Sequence, residues 1–210
     1  MDDRADLYDV CILGSGLGGT ILGAILARQG ARVLILDRSA HPRFAIGEST
    51  IPSTTGCLKI LARRFDVPEL DNLSSFAKIQ AVAPTCGIKR SFSFFYNRPG
   101  EAQDPTEWME YRTFPPPLGP DIHMYRQDVD AYMAKVAVSY GVHLEERVEV
   151  TDVEIDDEVR IRLGDGRLHR ARFIVDGSGY RSELADRFGL RDPTPRMSTR
   201  SRVIFTHMQG

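Results

Sequence analysis

Three glycines in one short run, Gly14-x-Gly16-x-x-Gly19, suit one kind of chemistry: bringing backbone N–H groups against a phosphate. The apolar run Val10–Leu13 precedes them and Ile21–Ala27 follows, which predicts a loop between a buried strand and a helix. Gly14 would allow the tight turn, Gly16 the approach of a pyrophosphate, and Gly19 the packing of helix on strand. The helix N-terminus adds free N–H groups and a positive dipole end. A second apolar run, Val33–Leu36, ends in Asp37, close to the roughly 20 residues expected between such glycines and a ribose-binding acid. A carboxylate there accepts from a 2′-hydroxyl and repels a 2′-phosphate. The spacing therefore predicts a dinucleotide site for FAD or NAD, not NADP.

Other stretches carry chemistry less decisively. Gly47-Glu48-Ser49-Thr50-Ile51-Pro52 places an acid and two hydroxyls in a loop able to address a polar ring. It reads equally well as the capped start of a helix from Ser53. Asp176-Gly177-Ser178-Gly179 follows the apolar Phe173–Val175 and repeats the strand-then-glycine pattern, bringing an acid to the C-terminal edge of a sheet. Lys89 stands beside Arg90, and on pattern alone an exposed lysine is expected there.

Composition narrows the classes. The formal net charge of −2 over 210 residues gives no general attraction to nucleic acid or to an anionic membrane. Hydrophobic content of 42% and charged content of 27% are those of an ordinary globular chain. The first residues are acidic, unlike a signal peptide, and Ile21–Ala27 is too short to span a bilayer. Cys11, Cys57 and Cys86 are odd in number and scattered, so neither a disulfide framework nor a metal site is expected. A reducing cytoplasm fits best.

The elements that must position these residues follow from periodicity. A helix is expected from Ser53 through Leu61, and aromatic-rich strands over Ile88–Tyr96 and Trp108–Phe114, with a stiff proline segment at Pro115–Pro120. Helical spacing returns from Val129 to Ala137 and ends at Gly141. Strands are expected at Val148–Ile155, Val159–Leu163, Leu168–Val175 and Arg202–His207, with Gly164-Asp165-Gly166 closing a hairpin. The fold class is α/β: a Rossmann-like FAD-binding domain of the GR2 type with a parallel sheet, and an antiparallel β-sheet inserted into it. Residues 1–76 and 125–190 would form the nucleotide domain, and 77–124 with 191–210 the substrate-side sheet.

In combination, the glycine run, Asp37-Arg38, the Gly47–Pro52 loop and Asp176–Gly179 resemble the p-hydroxybenzoate-hydroxylase-like FAD proteins. Within that group the chain is most similar to the flavin-dependent halogenases. The Gly47–Pro52 loop and Gly87-Ile88-Lys89-Arg90 before an aromatic strand carry the narrower match. Tyr125–Asp130 is similar to the segment in which that family returns to its FAD domain.

The resemblance implies that Gly14, Gly16 and Gly19 hold the FAD pyrophosphate and Asp37 the ribose. Arg38 and Arg43 would line the adenosine or phosphate region, and Ile46, Glu48 and Ser49 would lie near the isoalloxazine. Arg126 and Asp176 would touch the FAD, and the backbone near Val148 the adenine. In that family reduced FAD, oxygen and halide give hypohalous acid, and a lysine delivers the oxidised halogen to an electron-rich carbon. Lys89 matches that lysine, with Lys78 as the competing position. A separate flavin reductase would supply the reduced FAD, with halide as co-substrate. The substrate would be a small aromatic such as a phenol, pyrrole or indole, free or tethered to a carrier protein. FAD-dependent hydroxylation, a geranylgeranyl-reductase-like reaction and a non-catalytic flavin-binding subunit stay open beside it.

Two departures matter. The WxWxIP motif of halogenases is absent, Trp108 being the only tryptophan. The later stretch that completes the isoalloxazine and halide pocket is missing too. The resemblance therefore implies the N-terminal portion of a longer protein, a split protein with a C-terminal partner chain, or a short relative.

Overall fold

The computed structural model describes residues 7–112, 119–192, 198 and 203–207. The chain opens with β1 (Leu7–Leu13), α1 (Leu17–Arg28), β2 (Val33–Asp37) and α2 (Pro52–Phe65). A 3-10 turn at Pro68–Leu73 and a short α3 (Phe76–Ile79) lead into β3 (Gly87–Lys89), β4 (Ser91–Phe95), β5 (Trp108–Arg112) and β6 (Asp121–His123). Then come α4 (Arg126–Ser139), β7 (His143–Glu146), β8 (Val150–Ile155), β9 (Val159–Leu163), β10 (Leu168–Asp176) and α5 (Glu183–Arg187).

The central sheet has the order β7-β2-β1-β10-β9-β8. Its first four strands are parallel, and β9 and β8 extend it antiparallel. Every residue of β2 is buried, as expected of a parallel strand covered on both faces. One face packs Ile12 and Ile35 against Val129 and Met133 of α4 and Ala24 of α1. The other gathers Cys11, Leu34 and Leu36 with Val153, Ile161 and Leu163 of the β8–β9 hairpin. This is an α/β architecture with a mostly parallel central sheet, and small antiparallel sheets are added to it. Among the described residues no helix is long and apolar enough to cross a membrane.

The middle of the chain departs from the single inserted sheet that its pattern predicts. The run 88–96 breaks at Arg90 into β3, which pairs with β6, and β4, which pairs with β5. Burial explains the division. Ile122 of β6 and Cys86 just before β3 belong to the main core, whereas β4–β5 keeps Phe92, Phe94, Trp108 and Tyr111 exposed. The 3-10 turn and α3 are not foreseen by periodicity, being too short to show a helical repeat, yet Leu70, Leu73 and Ile79 are fully buried. The strand expected at 202–207 is not found over the described residues 203–207. Phe205 and His207 instead contact the rings of Phe44 and Tyr125. Phe114, most of the proline segment and Arg202 lie outside the described residues.

The cysteines give a direct check. Burial pushes the Cys11 thiol up to about 12, Cys86 is buried as well, and Cys57 is exposed on α2. A thiol reagent should label the native protein rapidly at Cys57 alone, and Cys57→Ser should remove that fast phase; a fast phase that survives the substitution would contradict the packing.

Candidate functional site

The glycine loop closes on its neighbours so tightly that side chains are excluded. At Gly14, where φ is +97°, a Cβ would sit 2.5 Å from the Gly177 carbonyl oxygen, and at Gly19 it would sit 2.1 Å from the Gly14 carbonyl oxygen. Gly16 differs. Its Cβ would meet only two guanidinium groups, Arg126 at 3.7 Å and Arg43 at 3.8 Å. Two cations thus converge on the N-terminus of α1, where free N–H groups and the helix dipole already favour an anion.

The two arginines are held differently. Arg126 forks onto Asp130, one turn along α4, with bonds of 2.6 and 2.9 Å, and its Nη1 donates to the Ile46 carbonyl at 2.6 Å. Arg43 donates to Asp37 at 3.0 Å, while among the described residues its buried Nε has no partner. An orphaned donor beside a bare glycine backbone fits a diphosphate.

Asp37 collects the donors of the opposite wall. Its carboxylate accepts from the Ser15 N–H at 2.8 Å, the Ser15 hydroxyl at 2.6 Å and the Ser39 N–H at 2.8 Å. Burial pushes this carboxyl up, but the Ser15 and Ser39 donors and Arg43 outweigh it and hold it below its ordinary value. Because the folded value is depressed, the linked stability is present above the ordinary aspartate range and is lost as pH falls through the folded value. Asp37→Asn should therefore flatten the fall of Tm with acid between about pH 5 and pH 2. Parallel Tm–pH curves for the two proteins would contradict it. Behind Ser15, His41 Nε2 lies 2.8 Å from the Ser15 hydroxyl and 3.1 Å from the Ser15 carbonyl.

A cleft of about 440 Å³ opens beside this wall, lined among others by Asp37, Arg38, Arg43, Val148 and Ser178. Val148 is brought there by its N–H, which donates to the Asp37 carbonyl at 3.1 Å. Asp176 turns its carboxylate to its own segment: it accepts from Ser178, Ser182 and the Leu184 N–H. It thereby fixes the turn that carries Gly177 against Gly14.

Residues 46–52 form the second half of the site. The Thr50 N–H donates to the Ile122 carbonyl at 3.0 Å, the Met124 N–H donates to the Glu48 carbonyl at 2.7 Å, and Ser49 bridges His123. The loop thus runs as an extra antiparallel segment along β6. Pro52 then opens α2 at a position where its missing N–H costs nothing. The Glu48 carboxylate lies 2.9 Å from His207 Nε2.

Lys89 stands against the Thr50 end of this loop. It is buried, only 4% exposed, which corrects the exposed lysine that its sequence neighbours suggest. The β3–β6 ladder turns it inward, and its ammonium donates to the Thr50 carbonyl at 2.7 Å. Nζ also lies 5.1 Å from the centre of the Phe92 ring. Lys78 sits on the surface, paired with Asp71. A cavity of about 750 Å³ opens over Lys89, walled by Phe92, Phe94, Met109 and Tyr111 from the apolar face of β4–β5.

Several participants escape sequence reasoning. Ser15 lies inside the glycine run, where a hydroxyl gives no pattern of its own. His41 and Asp121 join the site through contacts between distant segments. Asp130, the partner of Arg126, carries a local sign, the i, i+4 spacing of a helical ion pair.

Comparison with known proteins agrees with this geometry. The FAD binding domain family matches residues 7–46. The monodechloroaminopyrrolnitrin halogenase PrnC of Pseudomonas fluorescens is 45% identical over 97% of this chain and 36% of its own length. The tetracycline 7-halogenase of Kitasatospora aureofaciens is 46% identical over 97% of this chain and 37% of its own. A 1H-pyrrole-2-carbonyl-[peptidyl-carrier protein] chlorinase of Pseudomonas fluorescens is 27% identical over 90% of the chain and 43% of its own. Among solved structures, halogenase PltM in complex with phloroglucinol and FAD superposes with a TM-score of 0.79 and 36% identity, over 87% of this chain and 36% of that one. The chain thus spans a little over a third of the length of the first two curated relatives. In sequence and in fold it is similar to a part of the flavin-dependent halogenases.

Proposed function

We propose that this chain is the FAD-holding part of a halogenase acting on a small, electron-rich aromatic, with halide as co-substrate. The observation that carries this reading is one shared loop. Residues 46–50 meet the arginine pair through the Ile46 carbonyl and Lys89 through the Thr50 carbonyl. An oxidant made on one side has a single loop to pass before it meets a buried ammonium facing aromatic walls.

In this reading the Gly14, Gly16 and Gly19 backbone with Arg43 and Arg126 holds the diphosphate. Asp37 takes the ribose, Arg38 and Val148 border the adenosine, and Ile46, Glu48 and Ser49 lie at the isoalloxazine. Asp176 braces the turn against the cofactor. When bound, reduced FAD with oxygen supplies the oxidation of halide to hypohalous acid. Lys89 donates an N–H to the oxygen of that acid and aims its halogen at the ring. Phe92, Phe94 and Tyr111 stack on the substrate and keep water out. A separate flavin reductase in the cytoplasm would supply the electrons. Residues 1–76 and 125–190 serve the cofactor, and 77–124 with 191–210 the substrate. The carrier-bound pyrrole in one relative's name makes a tethered substrate a class to include, and a C-terminal partner chain belongs in the assay.

The test is the mass of the product formed from reduced FAD, oxygen and chloride or bromide with a panel of phenols, pyrroles and indoles. One halogen in place of one hydrogen is the expected result. Oxygen gained and never halogen would make the chain part of a hydroxylase instead. A protein that takes up NAD and no flavin would overturn both.

A further inference from the structure

One side chain on the wall of the Lys89 cavity is oxidised far more readily than its neighbours. Register in the β4–β5 ribbon pairs Phe94 with Met109 and Phe92 with Tyr111, and strand alternation puts all four on one face. Among the described residues lining this cavity of about 750 Å³, the Met109 thioether holds the one sulfur. Met109 is 52% exposed where Lys89 is 4% exposed, and it also borders a shallower cleft with Phe95 and Trp108. Lys89 thus lies at the floor and Met109 toward the mouth. The other described methionines, Met124 and Met133, are shut in the main core. The exposed thiol of Cys57, on α2, is not part of the lining.

Hypohalous acid held at Lys89 meets an arene when one is bound. With the cavity empty it leaves along the β4–β5 wall. A thioether sulfur offers a free, polarisable electron pair, whereas an ammonium has none and the aromatic rings react only by interrupting their aromaticity. We propose that Met109 is a modification site of this cavity: it captures hypohalous acid that no arene consumes and becomes methionine sulfoxide. The sulfur pair forms the sulfur–halogen bond, and the oxygen–halogen bond breaks with its pair on oxygen, which takes a proton and leaves as water. Water then forms the sulfur–oxygen bond, halide departs with the pair of the sulfur–halogen bond, and two protons are released. In balance, thioether and hypohalous acid give sulfoxide, halide and a proton. Sulfur loses two electrons and the halogen gains them. The sulfoxide puts a polar group on an apolar wall, so halogenation slows until a methionine sulfoxide reductase restores the thioether. The role rests on the halogenase reading.

The test supplies the FAD-loaded protein with a flavin reductase, the C-terminal partner chain of the activity assay, oxygen and chloride, and follows each methionine and cysteine peptide by mass. Without an arene, the Met109 peptide should gain one oxygen about tenfold or more ahead of Met124 and Met133, whose oxidation waits on local opening. It should also lead the Cys57 peptide. An electron-rich arene should suppress the gain, and omitting chloride should abolish it, since reduced flavin and oxygen then yield only hydrogen peroxide. Halogenation by the oxidised protein should be slower and should recover with methionine sulfoxide reductase; in Met109→Leu, turnover without arene should leave no loss that the reductase reverses. Met109 left unoxidised while arenes are halogenated, or oxidised equally without chloride, would overturn the assignment. Absence of halogenated product with every arene would refute the halogenase reading itself. Hypochlorous acid added directly to the cofactor-free protein would still decide the site: Met109 should be the first of the three methionines oxidised, and Met124 or Met133 oxidised as early would overturn it.

Discussion

Replacing Lys89 by methionine should remove halogenated product by about 10³-fold or more while FAD binding stays within twofold of the original. The side chain is enclosed between the Thr50 carbonyl, the Phe92 ring and the apolar face of β4–β5. Methionine keeps the bulk of the stem and removes the one donor aimed into the cavity from β3. Without it, hypohalous acid has no donor at the cavity floor to orient it, and it diffuses away or reacts unselectively. Arginine should not rescue the rate, because a planar fork cannot occupy the place of a compact ammonium that also bonds Thr50. Lys78→Met is the control, since Lys78 lies on the surface with Asp71. Equal product from Lys89→Met and the unaltered protein would remove Lys89 from the mechanism.

Gly19→Ala is the second large effect expected, and it falls on the cofactor. The added Cβ would lie 2.1 Å from the Gly14 carbonyl oxygen, and the atom in the way is backbone. Relief requires moving α1 away from β1 or opening the Gly14 turn, and overpacking of this kind costs about 1–3 kcal/mol or more. Either movement displaces the N–H groups that would hold the diphosphate. FAD affinity should fall at least about 100-fold and Tm by several degrees. Gly18→Ala, one residue earlier, meets nothing within 4 Å and should leave FAD affinity unchanged. Equal affinities for Gly18→Ala and Gly19→Ala would show that loop closure does not matter for binding.

Those two positions also mark how much was legible beforehand. The glycine run, β1, β2 and Asp37 are set by local chemistry: apolar runs, turn residues and a fixed spacing, all within a few tens of residues. They could be read from the sequence, as could the β9–β10 hairpin and α4. The burial of Lys89 had no local sign, since its neighbours pointed to the surface and it depends on pairing with β6, more than thirty positions away. Asp121 had no local signal for the same reason. The split of the aromatic middle into two ribbons was hidden because strand pattern reports which residues alternate, not which partner they pair with. The short turn at Pro68–Leu73 was invisible because six residues do not display a period.

The central claim is that one loop separates a flavin from the Lys89 cavity. A crystal structure of the FAD-loaded protein tests it most directly. The account predicts the diphosphate against Gly14–Gly19 within hydrogen-bond reach of Arg43 and Arg126, the adenosine beside Asp37 and Val148, and the isoalloxazine against residues 46–50 on the side away from Lys89. An isoalloxazine lodged in the Lys89 cavity, or a diphosphate bound away from the glycine loop, would contradict it.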